Sequence, residues 1–263
     1  MADSSQLPSA IAMGITAATA GILSGSALLA YSVFVPRCQF WAPVIRSVPD
    51  RESIALTFDD GPHPDFTPRI LDILAQHHAR ATFFIIGRFA RQFPDIVRRI
   101  SREGHTLGNH SLDHDRFGIN QKRDYWRHQI NETQKTIADI TGQPPFLFRS
   151  PMGFKTGHIA AAAREARLPF VGWSVRSLDT RPLTPQRLAD RVIKRMAGHD
   201  IVLLHDGVEP ARAAKNVSQE STVAALPAIL ESIADKRLRP VSLLDALLPA
   251  ARAETPALAR VRA

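Results

Sequence analysis

Hydrophobic and polar residues follow two alternating patterns along most of the chain. Short apolar runs, typical of buried strands, occur at residues 54–58, 81–86, 169–173 and 201–204. Between them apolar residues recur every three or four positions, as on the buried face of a helix. We predict helices over residues 67–78, 94–103, 121–141, 158–167, 185–196 and 221–235, and short strands over 105–109, 146–149 and 239–242. Repeated strand–helix units predict an α/β fold with a parallel sheet, open or closed into a barrel.

The first 36 residues break this pattern. No Asp, Glu, Lys or Arg occurs over residues 4–36, and the apolar run at 11–35 is long enough to cross a bilayer, which takes about 20 residues. We expect a membrane anchor or a cleaved export signal, and a soluble helix or disordered arm is the third interpretation. Arg37 and Arg46 follow the run, so the basic residues oppose an orientation with the N-terminus inside the cell.

Composition narrows the range of partners. The 263-residue chain is 44% hydrophobic and 22% charged, which allows a buried core and excludes bulk disorder. A formal net charge of +8 favours anionic surroundings, yet no basic run interleaved with aromatic residues supports a nucleic-acid partner. The one cysteine, Cys38, excludes an internal disulfide and a zinc site built from several cysteines.

Reactive side chains fall where the predicted strands end. They are Asp59, Asp60, His110, His114, Arg149, Asp179 and His205. Because the carboxyl ends of parallel strands share one face of the sheet, we expect these side chains to converge.

Two of these clusters suggest a metal site. Asp59 and Asp60 are adjacent, so one carboxylate can bind a cation while the other transfers a proton, although Asp-Gly-Pro is also a common turn. His110 and His114 are four residues apart and would face one side of a helical turn, as metal-ligand pairs do. Two histidines and a carboxylate form a common zinc set and a non-haem iron set, whereas this spacing alone more often marks surface histidines.

Three further residues complete a reaction centre. Arg149 could hold Asp59 through a bidentate contact, and a surface salt bridge is the alternative. His205 emerges from an apolar strand and is a candidate general acid, with Asp179 accepting its second N–H. The alternative for His205 is a structural histidine at the rim of the sheet.

The order of these residues resembles the polysaccharide deacetylases, carbohydrate esterase family 4, which is built on the NodB homology domain. The resemblance spans about residues 53–247 and rests on five motifs: TFDDGP at 57–62, H-S-x-x-H at 110–114, R-x-P-x-G at 149–153, an Asp at 179, and Leu-x-His at 203–205. It implies a distorted, partly open (β/α) barrel with seven or eight strands, preceded here by an N-terminal apolar helix.

The resemblance also implies a role for each matching residue. Asp59 is the implied general base, oriented by Arg149, and His205 is the implied general acid, supported by Asp179. The implied ligands of a divalent metal, usually Zn²⁺, are Asp60, His110 and His114.

The chain departs from the family pattern in the wall of the substrate pocket. Met152 stands where the third motif usually has an aromatic residue, but its backbone N–H is still implied to stabilise the oxyanion. Thr180 stands where the family usually has Trp, and Trp173 could fill that wall from another position. Leu203 is implied to line the pocket for the acetyl methyl group.

We therefore expect a metal-dependent deacetylase acting on N-acetyl groups of an N-acetylglucosamine-containing glycan, such as peptidoglycan, a chitin oligosaccharide or another envelope polysaccharide. The alternatives are an O-acetyl polysaccharide esterase and a non-catalytic carbohydrate-binding envelope protein. A metal phosphoesterase or an aspartyl-phosphate phosphatase is the rival class of hydrolase. The latter is disfavoured, because it needs carboxylates two residues apart, whereas Asp59 and Asp60 are adjacent.

The expected domains are an anchor or signal at 1–36, a linker at 37–52, a catalytic domain at 53–248 and an Ala/Arg-rich tail at 249–263. An envelope substrate predicts that the catalytic domain is anchored or exported, on the extracytoplasmic side of the membrane. The sequence leaves the oligomeric state open.

Overall fold

The protein is built around parallel strands, as a computed structural model that describes residues 26–208 and 219–248 shows. The strands of the described residues are β1 (Val44–Ile45), β2 (Ser53–Gly61), β3 (Thr82–Ile85), β4 (Thr106–Asn109), β5 (Phe170–Val171), β6 (Val175–Arg176), β7 (Ile201–His205) and β8 (Arg239–Pro240). The main sheet has the order β4-β3-β2-β7-β6, with β8 beside β2, and β1 pairs with β5. All of these pairs are parallel, which confirms the predicted α/β class.

The two groups of strands are joined through one residue. Phe148 forms a parallel bridge to Asn109 at the end of β4 and another to Phe170 in β5. The strand predicted over 146–149 is therefore reduced to this bridge, and the one predicted over 169–173 is only two residues long. β1 and β6 lie outside the predicted strands.

Helices follow most strands and cover the sheet. Within the described residues they are α1 (Phe66–Gln76), α2 (Gly87–Gln92), α3 (Pro94–Arg102), α4 (Arg123–Thr141), α5 (Gly157–Glu165), α6 (Pro185–Ile193), α7 (Glu220–Asp235) and α8 (Leu243–Leu247). Their ends carry local signals: Thr156 and Thr184 accept a backbone N–H at the starts of α5 and α6, and α4 ends at Gly142 in the left-handed region, with φ 82°. The short helix α2 was not predicted.

The core lies between β2 and its covering helices. All nine residues of β2 are buried, and Phe58 packs in one cluster with Ile70 of α1 and Leu226 of α7. Each fully buried side chain of this size contributes about 1.5–3 kcal/mol. Burial on both faces explains why β2 is a continuous apolar run that ends abruptly in two carboxylates.

The N-terminal segment is described only in part. Residues 26–34, here called the N-terminal helix, are helical, while most of the apolar run at 11–35 and the tail at 249–263 lie outside the described residues. Among the described residues, the helices are too short or too polar to span a membrane. The N-terminal helix packs on the rest of the fold, with Phe34 meeting Phe154 edge to face at 5.1 Å.

Candidate active site

The residues predicted from the five motifs converge at the carboxyl ends of β2, β4 and β7. They form one pocket, and all of them line it except Arg149 and Asp179, which lie behind it. Gly153, Arg176 and Thr180 line the same pocket. The predicted convergence of the strand ends thus occurs in the fold.

The end of β2 is shaped to turn the Asp60 carboxylate towards the histidines. Asp60 has φ 72°, and the register of β2 against β3 shifts between Asp59 and Gly61. A non-glycine residue in the left-handed region costs on the order of 1 kcal/mol or more, and such residues cluster at functional sites. Gly207 allows this path, because a Cβ there would lie 2.1 Å from the Asp60 carbonyl oxygen.

Three buried side chains form a candidate metal site. Nε2 of His110 and Nε2 of His114 each lie 3.3 Å from Oδ1 of Asp60, and the three ligand atoms are within 4.8 Å of one another. Burial disfavours the ionised form of Asp60, but the neighbouring imidazoles of His114, His110 and His205 outweigh it and hold the pKa of Asp60 well below its usual range.

The hydrogen bonds around this trio favour a bound cation. His110 Nδ1 lies 2.7 Å from the carbonyl oxygen of Arg149; a carbonyl only accepts, so Nδ1 carries the proton and the lone pair of Nε2 faces Asp60. Within the described part of the chain, the buried Oδ1 of Asp60 has no hydrogen-bond donor. A lone pair and a carboxylate oxygen directed at each other repel unless a cation lies between them. The residues therefore fit a divalent metal.

The expected helical turn between the two histidines is wrong. Residues 110–114 form a loop in which Ser111 and His114 have φ values of 68° and 52°. Helix α4 holds this loop: Gln129 Oε1 accepts the backbone N–H groups of Leu112 and Asp113, each at 3.0 Å. Left-handed residues rather than a helix bring the imidazoles to one side.

Asp59 is paired with Arg149 as predicted, but the predicted bidentate contact is wrong, because one hydrogen bond joins the two side chains. Arg149 is fully buried, and its Nη1 donates to Asp59 Oδ1 at 2.7 Å and to Thr57 Oγ1 at 2.9 Å. Its Nη2 donates to the carbonyl oxygen of Gly172. The guanidinium thus fixes Asp59 through one oxygen only, while Oδ2 lies 3.8 Å from Nε2 of His110, on the side of the metal site.

His205 and Asp179 also form the expected pair. Nδ1 of His205 is 2.8 Å from Asp179 Oδ1, and the backbone N–H of His205 donates to Oδ2 of the same carboxylate. Burial alone would lower the pKa of His205, but the Asp179 charge and hydrogen bond, with smaller contributions from Asp60 and Asp59, raise it to about 9. The imidazole is therefore protonated at neutral pH.

The wall positions are also occupied as expected. Met152, Leu203 and Trp173 all line the pocket. Gly153 leaves room for the Trp173 ring, because a Cβ on Gly153 would lie 2.7 Å from it. An indole is thus present in the wall although Thr180 stands where the family pattern has Trp.

Two residues that support the site were given no role from the sequence. Thr222 on α7 donates to Asp179 Oδ2 at 3.0 Å across 43 residues of chain. Asp206 is fully buried beneath the end of β2 and accepts a 2.6 Å hydrogen bond from Thr67. Burial raises the pKa of Asp206 to about 7. Asp206 follows His205 directly, and its position after a strand end is the one hint that the sequence offers.

Comparison with known proteins agrees with this geometry. The family model described as polysaccharide deacetylase matches residues 46–171. A chitooligosaccharide deacetylase from Azorhizobium caulinodans is 39% identical over 175 residues, which cover 64% of this chain and 80% of that protein.

Solved structures show the same likeness. A peptidoglycan N-acetylglucosamine deacetylase superposes with a TM-score of 0.70 at 32% identity, covering 76% of this chain and 91% of that one. A pseudoenzyme of carbohydrate esterase family 4 from Bacillus anthracis gives a TM-score of 0.69 at 25% identity, covering 79% and 69% of the two chains. Since it shares its motifs, its strand-end pocket and most of the length of such relatives, this chain belongs to the polysaccharide deacetylase family.

Proposed function

We propose that this protein is a metal-dependent deacetylase that removes N-acetyl groups from an N-acetylglucosamine-containing glycan and releases acetate and a free amine. The observation that carries the proposal is that the three candidate metal ligands share one pocket with Asp59 and His205. These ligands are Asp60, His110 and His114. A metal-dependent hydrolase of an unreactive amide uses a Lewis acid, a base and an acid, and this pocket offers a group to hold or supply each.

We infer that the metal is zinc. One carboxylate and two imidazoles are a ligand set that Zn²⁺ takes in hydrolases, with a position left for water. When bound, the ion supplies an activated water and polarises the acetamide carbonyl.

Asp59 is proposed as the general base. Its Oδ1 is occupied by Arg149, and its Oδ2 faces the candidate metal ligands, so Oδ2 is the oxygen that accepts a proton from the attacking water. Arg149 acts as a positioning residue, because it contacts Asp59 and not the substrate.

His205 is proposed as the general acid. Its Nδ1 is engaged by Asp179 and its pKa is raised to about 9, so it enters the reaction protonated and can donate through Nε2. Transfer of this proton to the leaving nitrogen allows the C–N bond to break, which yields acetate and the amine.

The wall residues are proposed to bind the acetylated sugar. The backbone N–H of Met152 stabilises the carbonyl oxygen as it gains negative charge, and Leu203 contacts the acetyl methyl group. The indole of Trp173 supplies the flat apolar surface on which a sugar ring packs.

Two alternatives remain testable. An O-acetyl esterase would use the same groups, but the chitooligosaccharide and peptidoglycan deacetylases named above favour the N-acetyl substrate. A non-catalytic carbohydrate-binding protein has a precedent in the similar pseudoenzyme. The presence here of the base, the acid and all three metal ligands supports catalysis.

We also propose that the enzyme is anchored or exported, with the catalytic domain outside the cytoplasm. The support is the uncharged run over residues 4–36 and the envelope location of the substrates considered. Protease added to intact cells should cut the catalytic domain, and full protection in intact cells together with cleavage after lysis would contradict this.

Metal removal and a substitution of the base test the function. Treating the purified full chain with a strong chelator should abolish acetate release from N-acetylglucosamine oligomers, and Zn²⁺ should restore it. Asp59→Asn should lower kcat by on the order of 100- to 10,000-fold while the protein still binds one zinc. Asp65→Asn, the same change at an exposed position outside the pocket, is the matched control.

The outcomes separate the alternatives. Undiminished turnover by the metal-free protein would exclude the metal-dependent reaction, and a near wild-type rate for Asp59→Asn would remove Asp59 as the base. Zinc binding without acetate release from any acetylated glycan would favour the non-catalytic alternative. Release from acetylated xylan alone would favour the O-acetyl esterase.

A further inference from the structure

One cationic side chain lines the pocket without a part in the hydrolysis. Arg176 is the last residue of β6, is exposed, and pairs in register with Leu203 on β7. Both residues line the pocket together with His205. The base, the acid and the metal ligands are all supplied by other residues, so the reaction itself needs no guanidinium at this position.

The charge of Arg176 is uncompensated within the described residues. Across residues 26–208 and 219–248, no carboxylate pairs with it. Two further arginines lie along its backbone: Arg191 Nε donates to the Arg176 carbonyl oxygen at 3.2 Å, and Arg195 Nη1 donates to the Arg191 carbonyl oxygen at 3.4 Å.

The neighbouring guanidiniums are close enough to repel one another. Burial, followed by the charges of Arg195 and Arg176, lowers the pKa of Arg191. Arg181 contributes in the same direction, and it directly follows the pocket residue Thr180. We call Arg176, Arg181, Arg191 and Arg195 the arginine cluster. Arg176 is the member of this cluster that lines the pocket, and it places a positive charge on one side of the pocket mouth.

An electropositive mouth favours one class of substrate over another. A polymer of N-acetylglucosamine alone is neutral and can give a guanidinium only ordinary hydrogen bonds. A carboxylate can form two parallel charge-assisted bonds with it, which are about twice as strong as neutral ones. A carboxylate would also relieve the repulsion within the cluster.

We propose that this enzyme acts on a carboxylate-bearing acetylated glycan, and that Arg176 binds the carboxylate of a sugar unit next to the one that loses its acetyl group. This inference rests on the proposed deacetylase function and makes Arg176 a specificity-determining residue. Such a carboxylate is carried by an ether-linked lactyl group or by the sugar ring itself, and two acidic test substrates separate these sources.

The test compares tetrasaccharides that differ in charge. One consists of N-acetylglucosamine only, the second alternates it with N-acetylmuramic acid, and the third alternates it with glucuronic acid. With the zinc-loaded full chain, kcat/KM for acetate release should be about tenfold or more higher on at least one acidic substrate than on the neutral one, mainly through KM. Added salt should reduce this preference.

Substitutions then assign the preference to one side chain. Arg176→Gln should lower the ratio of acidic to neutral kcat/KM by about tenfold. Arg176→Lys should retain part of the preference for the acidic substrate, because the positive charge remains but the two parallel N–H donors of the guanidinium are lost. The control is Arg102→Gln, which removes the same charge from the exposed end of α3, away from the pocket. It should leave the ratio unchanged.

The results distinguish this inference from the function on which it rests. Equal kcat/KM on neutral and acidic substrates, or a ratio that Arg176→Gln does not change, would overturn the role of Arg176 while the deacetylase function stands. If Arg102→Gln changed the ratio of acidic to neutral kcat/KM as much as Arg176→Gln does, the preference would come from long-range attraction and not from a local contact. That result would also overturn the role of Arg176. No acetate from any of the three substrates would overturn both proposals.

Discussion

The Asp179 carboxylate is the most fully satisfied charge near the pocket. It accepts from Nδ1 and the backbone N–H of His205, from Ser177 Oγ and from Thr222 Oγ1. A buried anion with this many donors keeps its charge, because each donor favours the ionised form. It can therefore hold a proton on His205 well above the pH at which an ordinary histidine loses it.

We expect Asp179→Asn to move the alkaline limb of the pH–rate profile. A general acid must be protonated, so kcat/KM falls when the pH exceeds its pKa. Without the Asp179 charge, burial acts largely unopposed and the pKa of His205 drops from about 9 towards or below its ordinary 6.5. The alkaline limb, measured as kcat/KM against pH, should shift down by on the order of two pH units.

Thr222→Val is the matched control for this shift. It removes one hydrogen bond to Asp179 but leaves the charge, so its shift should be clearly smaller. An alkaline limb that stays in place in Asp179→Asn would show that His205 is not the acid whose ionisation limits the rate.

At the scale of elements, the metal site depends on a helix that contributes no ligand. Gln129 of α4 is buried and holds the loop between the two histidines through Leu112 and Asp113, and its Nε2 donates to Asp113 Oδ2. β4 and α4 are therefore both needed to set the spacing of the imidazoles.

Gln129→Met should weaken metal binding without removing a ligand. Methionine has a similar volume, but it leaves the two loop N–H groups without their acceptor, at about 1–3 kcal/mol for each buried donor. We expect the zinc Kd, measured by competition with a chromogenic chelator, to rise by about 10- to 100-fold. Gln186→Met on the exposed surface of α6 should not change it. An unchanged zinc Kd in Gln129→Met would mean that the loop holds its shape alone.

The limits of the sequence are clearest in these elements. The apolar runs correctly predicted β2, β3 and β7. The polar residues that follow the strand ends lie close together as predicted, because the carboxyl ends of parallel strands share one edge of the sheet. The turn from His110 to His114 was predicted wrongly, since left-handed backbone at Ser111 and His114 depends on contacts with α4 and not on local preference. Arg176 and Thr222 carry no local pattern, and only the tertiary fold brings them to the site.

For the whole molecule, the N-terminal helix is attached directly to the wall of the pocket. Its Val33 carbonyl oxygen accepts the backbone N–H of Lys155 at 3.2 Å, and Lys155 Nζ donates to the carbonyl oxygen of Pro36 at 2.9 Å. Lys155 is buried and lies two residues beyond Gly153, which lines the pocket. Burial lowers the pKa of Lys155, and the Pro36 carbonyl oxygen gives its buried Nζ a hydrogen-bond acceptor.

A chain that starts at residue 37 should therefore be less stable and slower than one that starts at residue 26. It loses the Val33 and Pro36 carbonyl acceptors of Lys155, which together contribute about 2 kcal/mol. This should lower Tm by about 4–8 °C. We expect kcat for acetate release to fall with zinc content unchanged, because the metal ligands lie on other elements. Equal Tm and kcat for the two chains would show that the contact is incidental.

The attachment of Lys155 to Val33 and Pro36 links any processing of the N-terminal segment to the support of the pocket wall. If a leader is removed before residue 26, the mature enzyme keeps the backbone carbonyls that steady its pocket wall. Removal after residue 36 strips them away and yields a loosened enzyme. The position of such a cut would then decide how firmly the pocket wall is held.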